Sequence, residues 1–170
     1  NRPTPNTTVN LTNVLSVAAG GNNTCAFQDD GILYCWGSNE EGQLGDGQDR
    51  NRYSPTRVIE LSAVRRVAVG ENHVCAITRG GALFCWGDNR GGQLGDGSLQ
   101  SASVPVRIDL ANVDDLALGK NHTCATRRGQ VYCWGRNDPY QHLGWEGSGR
   151  QRTPRLNNVN GVFSLSSSSE

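Results

Sequence analysis

The stretch from Thr24 to Gly47, TCAFQDDGILYCWGSNEEGQLGDG, decides the fold because it returns twice. Residues 74–97 read VCAITRGGALFCWGDNRGGQLGDG, and residues 123–147 give a worn third copy, TCATRRGQVYCWGRNDPYQHLGWEG. Cys25, Cys75 and Cys124 lie 50 and 49 residues apart, and each is followed by a partner, Cys35, Cys85 and Cys133, after 10, 10 and 9 residues. Self-similarity at this period marks one supersecondary unit per repeat, stacked on its neighbours so that a shared core is buried.

Within each copy the cysteines flank a turn: Asp29-Asp30-Gly31, then Arg79-Gly80-Gly81, then Arg128-Gly129, one residue shorter to match the shorter cysteine step. Extended arms on either side make a β-hairpin, with Gly supplying the positive φ of a tight turn. Opposed residues of a non-hydrogen-bonded pair have Cα atoms roughly 4.5 Å apart, within reach of a disulfide. The expectation is therefore three hairpin disulfides, Cys25–Cys35, Cys75–Cys85 and Cys124–Cys133, with free buried thiols or metal ligation as the alternatives. Zinc calls for CxxC pairs with histidines close by, and none occur. Each bridge closes a loop that the chain-entropy account values at about 3 kcal/mol or slightly less. Disulfides imply an oxidising compartment: extracellular, cell-surface or periplasmic. Four Asn-x-Thr sequons, at Asn6, Asn10, Asn22 and Asn121, are possible glycosylation sites in such a compartment.

Outside the hairpins the phase is kept. Thr4-Pro5, Ser54-Pro55 and Pro105 precede the first cysteines by about twenty residues, and tight apolar strands follow at 14–19, 64–70 and 113–119. Ala18, Ala68 and Ala117 in those strands point to close packing near a crowded axis. Three or four short strands per fifty residues is the length of a β-propeller blade. The reading is all-β, with 1–170 a partial propeller: blades at 1–50, 51–100 and 101–150, and the start of an incomplete fourth at 151–170. The chain lacks an initial Met and is expected to be a fragment or a processed product.

Sixteen basic and sixteen acidic residues cancel, so no overall field draws the chain to nucleic acid. No apolar run approaches the roughly 18 residues of a membrane-spanning helix, so no membrane insertion is expected.

The string Gly70-x-x-His73-x-Cys75-Ala76, followed by Gly81, Phe84, Cys85, Trp86, Gly87, Asn89, Gly92, Gln93, Leu94, Gly95, Asp96 and Gly97, resembles the repeat of the regulator-of-chromosome-condensation family. That resemblance implies a closed propeller of about seven blades. It also brings the family's functions into view: nucleotide exchange on a small GTPase in nuclear members, enzyme inhibition in a secreted bacterial one. The photoreceptor members' Gly-Trp-Arg-His-Thr motif has no tryptophan at the matching sites here, Gly70-Glu71-Asn72-His73 and Gly119-Lys120-Asn121-His122. The cysteine-paired form is similar to repeats of extracellular proteins.

No catalytic set, metal site or cofactor motif is read. His73 and His122 share one repeat position and Asn23 takes it in the first copy, so a structural role is expected. Asp46-Gly47-Gln48-Asp49 lacks the downstream Glu of an EF-hand loop. The sharpest departure from the repeat lies at 137–146, where Arg136, Tyr140, His142, Trp145 and Arg150 form a candidate binding loop with the composition of an interface hot spot. The sequence thus points to a non-enzymatic extracellular module that binds a protein or glycan through blade loops. The alternative is a structural subunit of a surface ring or filament that self-associates through unfinished blade edges.

Overall fold

A computed structural model of the chain describes residues 11–137, 143 and 148–161. The residues form three four-stranded antiparallel sheets. The first comprises β1 (Val14–Gly20), β2 (Asn23–Gln28), β3 (Leu33–Gly37) and β4 (Arg52–Arg57). The second comprises β5 (Val64–Val69), β6 (His73–Thr78), β7 (Ala82–Gly87) and β8 (Ala102–Ala111). The third comprises β9 (Asp115–Leu118), β10 (His122–Arg127), β11 (Gln130–Asn137) and β12 (Gly149–Asn160). Among the described residues there is no helix, and the three blades do not close into a ring.

The cysteine hairpins sit at the centre of each sheet. Cys25 pairs with Cys35, Cys75 with Cys85 and Cys124 with Cys133 as direct register partners, each bridged with Cα atoms 4.1 Å apart. The thiol and metal alternatives fall away, because no free cysteine remains. The shorter third turn places Arg128 and Gly129 at φ 51° and 74°, the two consecutive positive φ values of a type I′ hairpin.

Sequence repeats and sheets are out of phase. Segments 51–57 and 101–111 were numbered with the repeat they precede, yet β4 and β8 hydrogen-bond to the sheet before them. Residues 151–160, which the repeat assigns to the start of a fourth blade, lie in β12 and complete the third sheet. The prolines give the physical reason. Pro55, Pro105 and Pro154 fall on β4, β8 and β12, the outermost strand of each sheet, where a missing N–H costs no ladder bond. Thr4-Pro5 and the fourth-blade residues 162–170 lie outside the described residues.

The core lies between sheets. Cys25, Phe27, Leu33 and Cys35 of the first sheet meet Val64, Val67, Val74 and Trp86 of the second. Cys75, Ile77, Leu83 and Cys85 of the second likewise meet Leu116, Leu118, Ala125 and Trp134 of the third. The innermost strands touch in sequence, β5 against β1 and β9. Ala18 and Ala68, on two of those strands, pack against the two clusters. Because Cys25, Cys35, Cys75 and Cys85 sit on the face pressed against the next sheet, the first two bridges are part of those interfaces, while Cys124 and Cys133 pack with Val131 and Leu143.

Candidate functional site

Two features meet at each seam between sheets: a repeated clasp, and an unrepeated set of charges at one end. The clasp is the Gly-Gln-Leu-Gly-Asp-Gly loop reaching across to the next sheet. Trp86 donates its indole N–H to the Gln43 carbonyl at 3.0 Å, and Trp134 donates to the Gln93 carbonyl at 2.9 Å. Both tryptophans are fully buried. The Gly47 N–H donates to the Ser103 carbonyl on β8 at 3.0 Å, and the Gly97 N–H to the Arg152 carbonyl on β12 at 2.9 Å. Gly95, at φ 82°, leaves no room for a side chain, since a Cβ there would stand 2.5 Å from the Trp134 indole nitrogen.

The remaining polar residues of the loop hold its shape. Asn39 accepts from the Leu44 N–H at 2.9 Å and donates to Asp46, while Asn89 accepts from the Leu94 N–H at 3.0 Å and donates to Asp96. Asn137 accepts from the Leu143 N–H in the third copy. The Gln43 and Gln93 carboxamide oxygens accept the Glu41 and Gly91 N–H groups. Asp46 is paired with Arg52 at 2.8 Å. Asn39, Gln43 and Asp46 of the first copy, and Asn89, Gln93 and Asp96 of the second, are thus each partnered within the blade architecture.

The second seam carries a polar chain that the first lacks. His73 is fully buried, its Nε2 2.9 Å from the Thr123 hydroxyl, which in turn donates to the Gln93 carbonyl at 2.8 Å. In the first seam the corresponding residues are Asn23 and Val74. Burial pushes the His73 imidazole down to about 3, with the neighbouring His122 adding to the shift and Asp88 opposing it. A base with that affinity stays neutral at physiological pH. The structural role expected of His73 is therefore the one it fills, and Gly70 makes space for its ring, because a Cβ there would lie 2.6 Å from it.

At one end of the second seam lies a cleft of about 360 Å³ lined by residues of both sheets. Its charged residues are Arg90, Lys120, Arg136 and Arg150 against Glu71 and Asp88. Asp88, 5% exposed, accepts from the Arg90 side chain at 2.9 Å and the Gln93 carboxamide at 3.0 Å. Its hydrogen bond and charge, with Glu41 behind them, hold Arg90 above its ordinary range. Lys120 and Glu71 pair at 3.2 Å. Among the described residues no group of three or more His, Cys, Asp or Glu side chains is placed to hold a metal.

Models of the regulator of chromosome condensation (RCC1) repeat match residues 30–77 and 80–126, and a second form of the same repeat matches 14–43, 64–93 and 113–141. The chain belongs to the RCC1 repeat family. Among solved structures it is similar to yeast RCC1 (Prp20) in its complex with Kap60, at 25% identity and a TM-score of 0.78 over 95% of this chain. It is also similar to human WBSCR16, at 26% identity and a TM-score of 0.76 over 88% of this chain. It spans about two fifths of those proteins' length, 41% and 40%. No curated protein sequence matches it.

Of the binding-loop residues read from the sequence, this RCC1-repeat chain brings Arg136 and Arg150 together as direct partners across β11 and β12, both facing the cleft. Tyr140, His142 and Trp145 lie outside the described residues, as do Asn6 and Asn10. Asn22 is exposed on the β1–β2 turn, and Asn121 takes the same place on the β9–β10 turn and lines the cleft. Sequence reading missed Arg90 and Lys120. The available signal was the sign of charge at matched repeat positions, where Glu40 stands for Arg90 and Glu71 for Lys120.

Proposed function

We propose that this chain is a non-enzymatic interaction module of an oxidising compartment, extracellular or at a cell surface, which presents the loops at one end of its sheets to a protein partner. The division of labour among residues carries this reading. The repeated polar residues are occupied in clasps and turns, whereas an exposed position at the loop end changes charge between copies: Glu40 and Arg90 stand at the same place after Trp-Gly-x-Asn. Protein binding by this fold has precedent in the yeast RCC1 complex with Kap60. Three hairpin disulfides favour the oxidising setting, in which Asn22 and Asn121 are the described sequon residues that glycosylation would use. A photo-crosslinking amino acid at Ser38 or Asn121, introduced into the protein in its native setting, should give a discrete protein adduct. One placed at Arg107, on the exposed outer strand β8, should give none. Equal adducts from all three positions, or none from the first two, would remove the proposal.

A second reading rests on the outward face of the first sheet. Leu15 and Val17 are 63% and 59% exposed, and Trp36 there is half-buried without the carbonyl that Trp86 and Trp134 have. That pattern favours assembly through sheet faces rather than strand edges. Size-exclusion chromatography with light scattering checks it: a multimer that Leu15→Asp/Val17→Asp reduces to a monomer supports it, and a wild-type monomer opposes it.

A further inference from the structure

We infer that the Cys124–Cys133 bridge is a thiol–disulfide exchange site of the folded chain, at which a small thiol of the glutathione class becomes attached to Cys124. This modification site is independent of the interaction reading above. Each of the three bridges joins register partners of a central hairpin with Cα atoms 4.1 Å apart, so backbone placement does not distinguish them. Their cover does. Cys25 and Cys35 are fully buried in the cluster between the first and second sheets, and Cys75 and Cys85 in the cluster between the second and third. Cys124 is half-buried, and among the described residues the cluster around its bridge consists of Cys133, Val131 and Leu143.

Exchange requires the attacking thiolate to reach one of the two sulfurs. At the first two bridges a sheet must part from its neighbour before that contact is made, so their reaction is limited by the opening of a seam. At the third, Cys124 Sγ is reached with both seams closed. The small thiolate forms a bond to Cys124 Sγ as the Sγ–Sγ bond breaks, and Cys133 leaves as a thiolate that takes a proton from water. Attack of a second small thiol on the mixed disulfide returns Cys124 as a thiol and releases the oxidised small disulfide, so two thiols supply the two electrons of a full reduction. Cys133, 3% exposed, is the shielded sulfur, which places the adduct on Cys124.

Leu143, which packs on this bridge, donates its N–H to the Asn137 side chain at 3.0 Å and accepts from the Asn157 carboxamide at 2.8 Å. The adduct therefore forms beside the anchor of the segment that departs most from the repeat.

Incubation of the native protein with reduced glutathione, quenching with N-ethylmaleimide and peptide mapping by mass spectrometry test the assignment. Glutathione on Cys124 and maleimide on Cys133 are expected at least about tenfold sooner than any modification of Cys25, Cys35, Cys75 or Cys85, because those four wait on local opening. Urea below the unfolding transition should leave the early reaction unchanged and speed the late ones. The indole N–H signals of Trp86 and Trp134 should persist while the third bridge opens. Cys124→Ser/Cys133→Ser should lack the early phase and keep the late ones. No reaction at Cys124, equal rates at the three bridges, an adduct chiefly on Cys133, or loss of both indole signals as the third bridge opens overturns the inference.

Discussion

The two seams are joined by the same clasp and differ in what surrounds it. At each, an indole N–H is bonded to a glutamine carbonyl of the preceding loop, at 3.0 and 2.9 Å, and a glycine N–H reaches the outer strand of the next sheet. The first seam adds Asn23 and Val74; the second adds His73 and Thr123 and a polar cleft lined by charges of both signs. What recurs is therefore what stacking requires, and what changes is released from it. That separation lets a repeat fold acquire a binding site without new architecture.

Removing the indole donors probes the shared part, and the largest effect is expected here. Gln43 O has Trp86 as its donor, whereas Gln93 O is also served by Thr123. Trp86→Phe should therefore cost about 2–3 kcal/mol by urea denaturation, leaving a buried carbonyl unsatisfied, and Trp134→Phe about 1 kcal/mol less. Trp36→Phe, on the half-buried face, should cost under about 1 kcal/mol. Equal losses at all three would dissolve the distinction between clasped and unclasped copies.

Acid should act through the second seam. His73 binds a proton at about 3 when folded and near its ordinary 6.5 when unfolded, so the unfolded chain holds more protons between these values. Stability is then complete above about pH 6.5 and falls as pH drops towards 3, by about 2 kcal/mol at pH 5. His73→Asn, which installs the residue of the first copy, should flatten that part of the urea-midpoint profile against pH. An unchanged slope would place the acid sensitivity elsewhere.

The smallest effect concerns the links into the second and third sheets. Ala63 and Asn112 sit at φ 55° and 56°, a left-handed conformation that Asn tolerates better than Ala. Ala63→Asn should raise the unfolding free energy by about 0.5–1 kcal/mol in the same denaturation assay.

Much of this was legible because the repeat prints each rule more than once. The cysteine steps and turn glycines gave the hairpins and their bridges directly, since both depend on neighbours in sequence. The repeat boundaries were harder to read. Which sheet a Pro-bearing segment joins depends on pairing with residues some twenty positions earlier, and Pro55, Pro105 and Pro154 carried the edge-strand signal that would have shown it. The cleft was harder still. Arg136 and Arg150 stood out locally, but Arg90 and Lys120 come from the preceding loop and the β9–β10 turn, so their meeting is a product of stacking.

The separation of stacking from binding is tested most directly by amide chemical-shift mapping of the chain titrated with the protein partner that the crosslinks capture. Shifts concentrated at the loop ends, at Asn22, Ser38, Glu40, Arg90 and Asn121, with the clasp residues Gly45, Trp86, Gly95 and Trp134 unmoved, are the predicted result. Shifts concentrated on the clasp residues, with the loop ends unmoved, would contradict it.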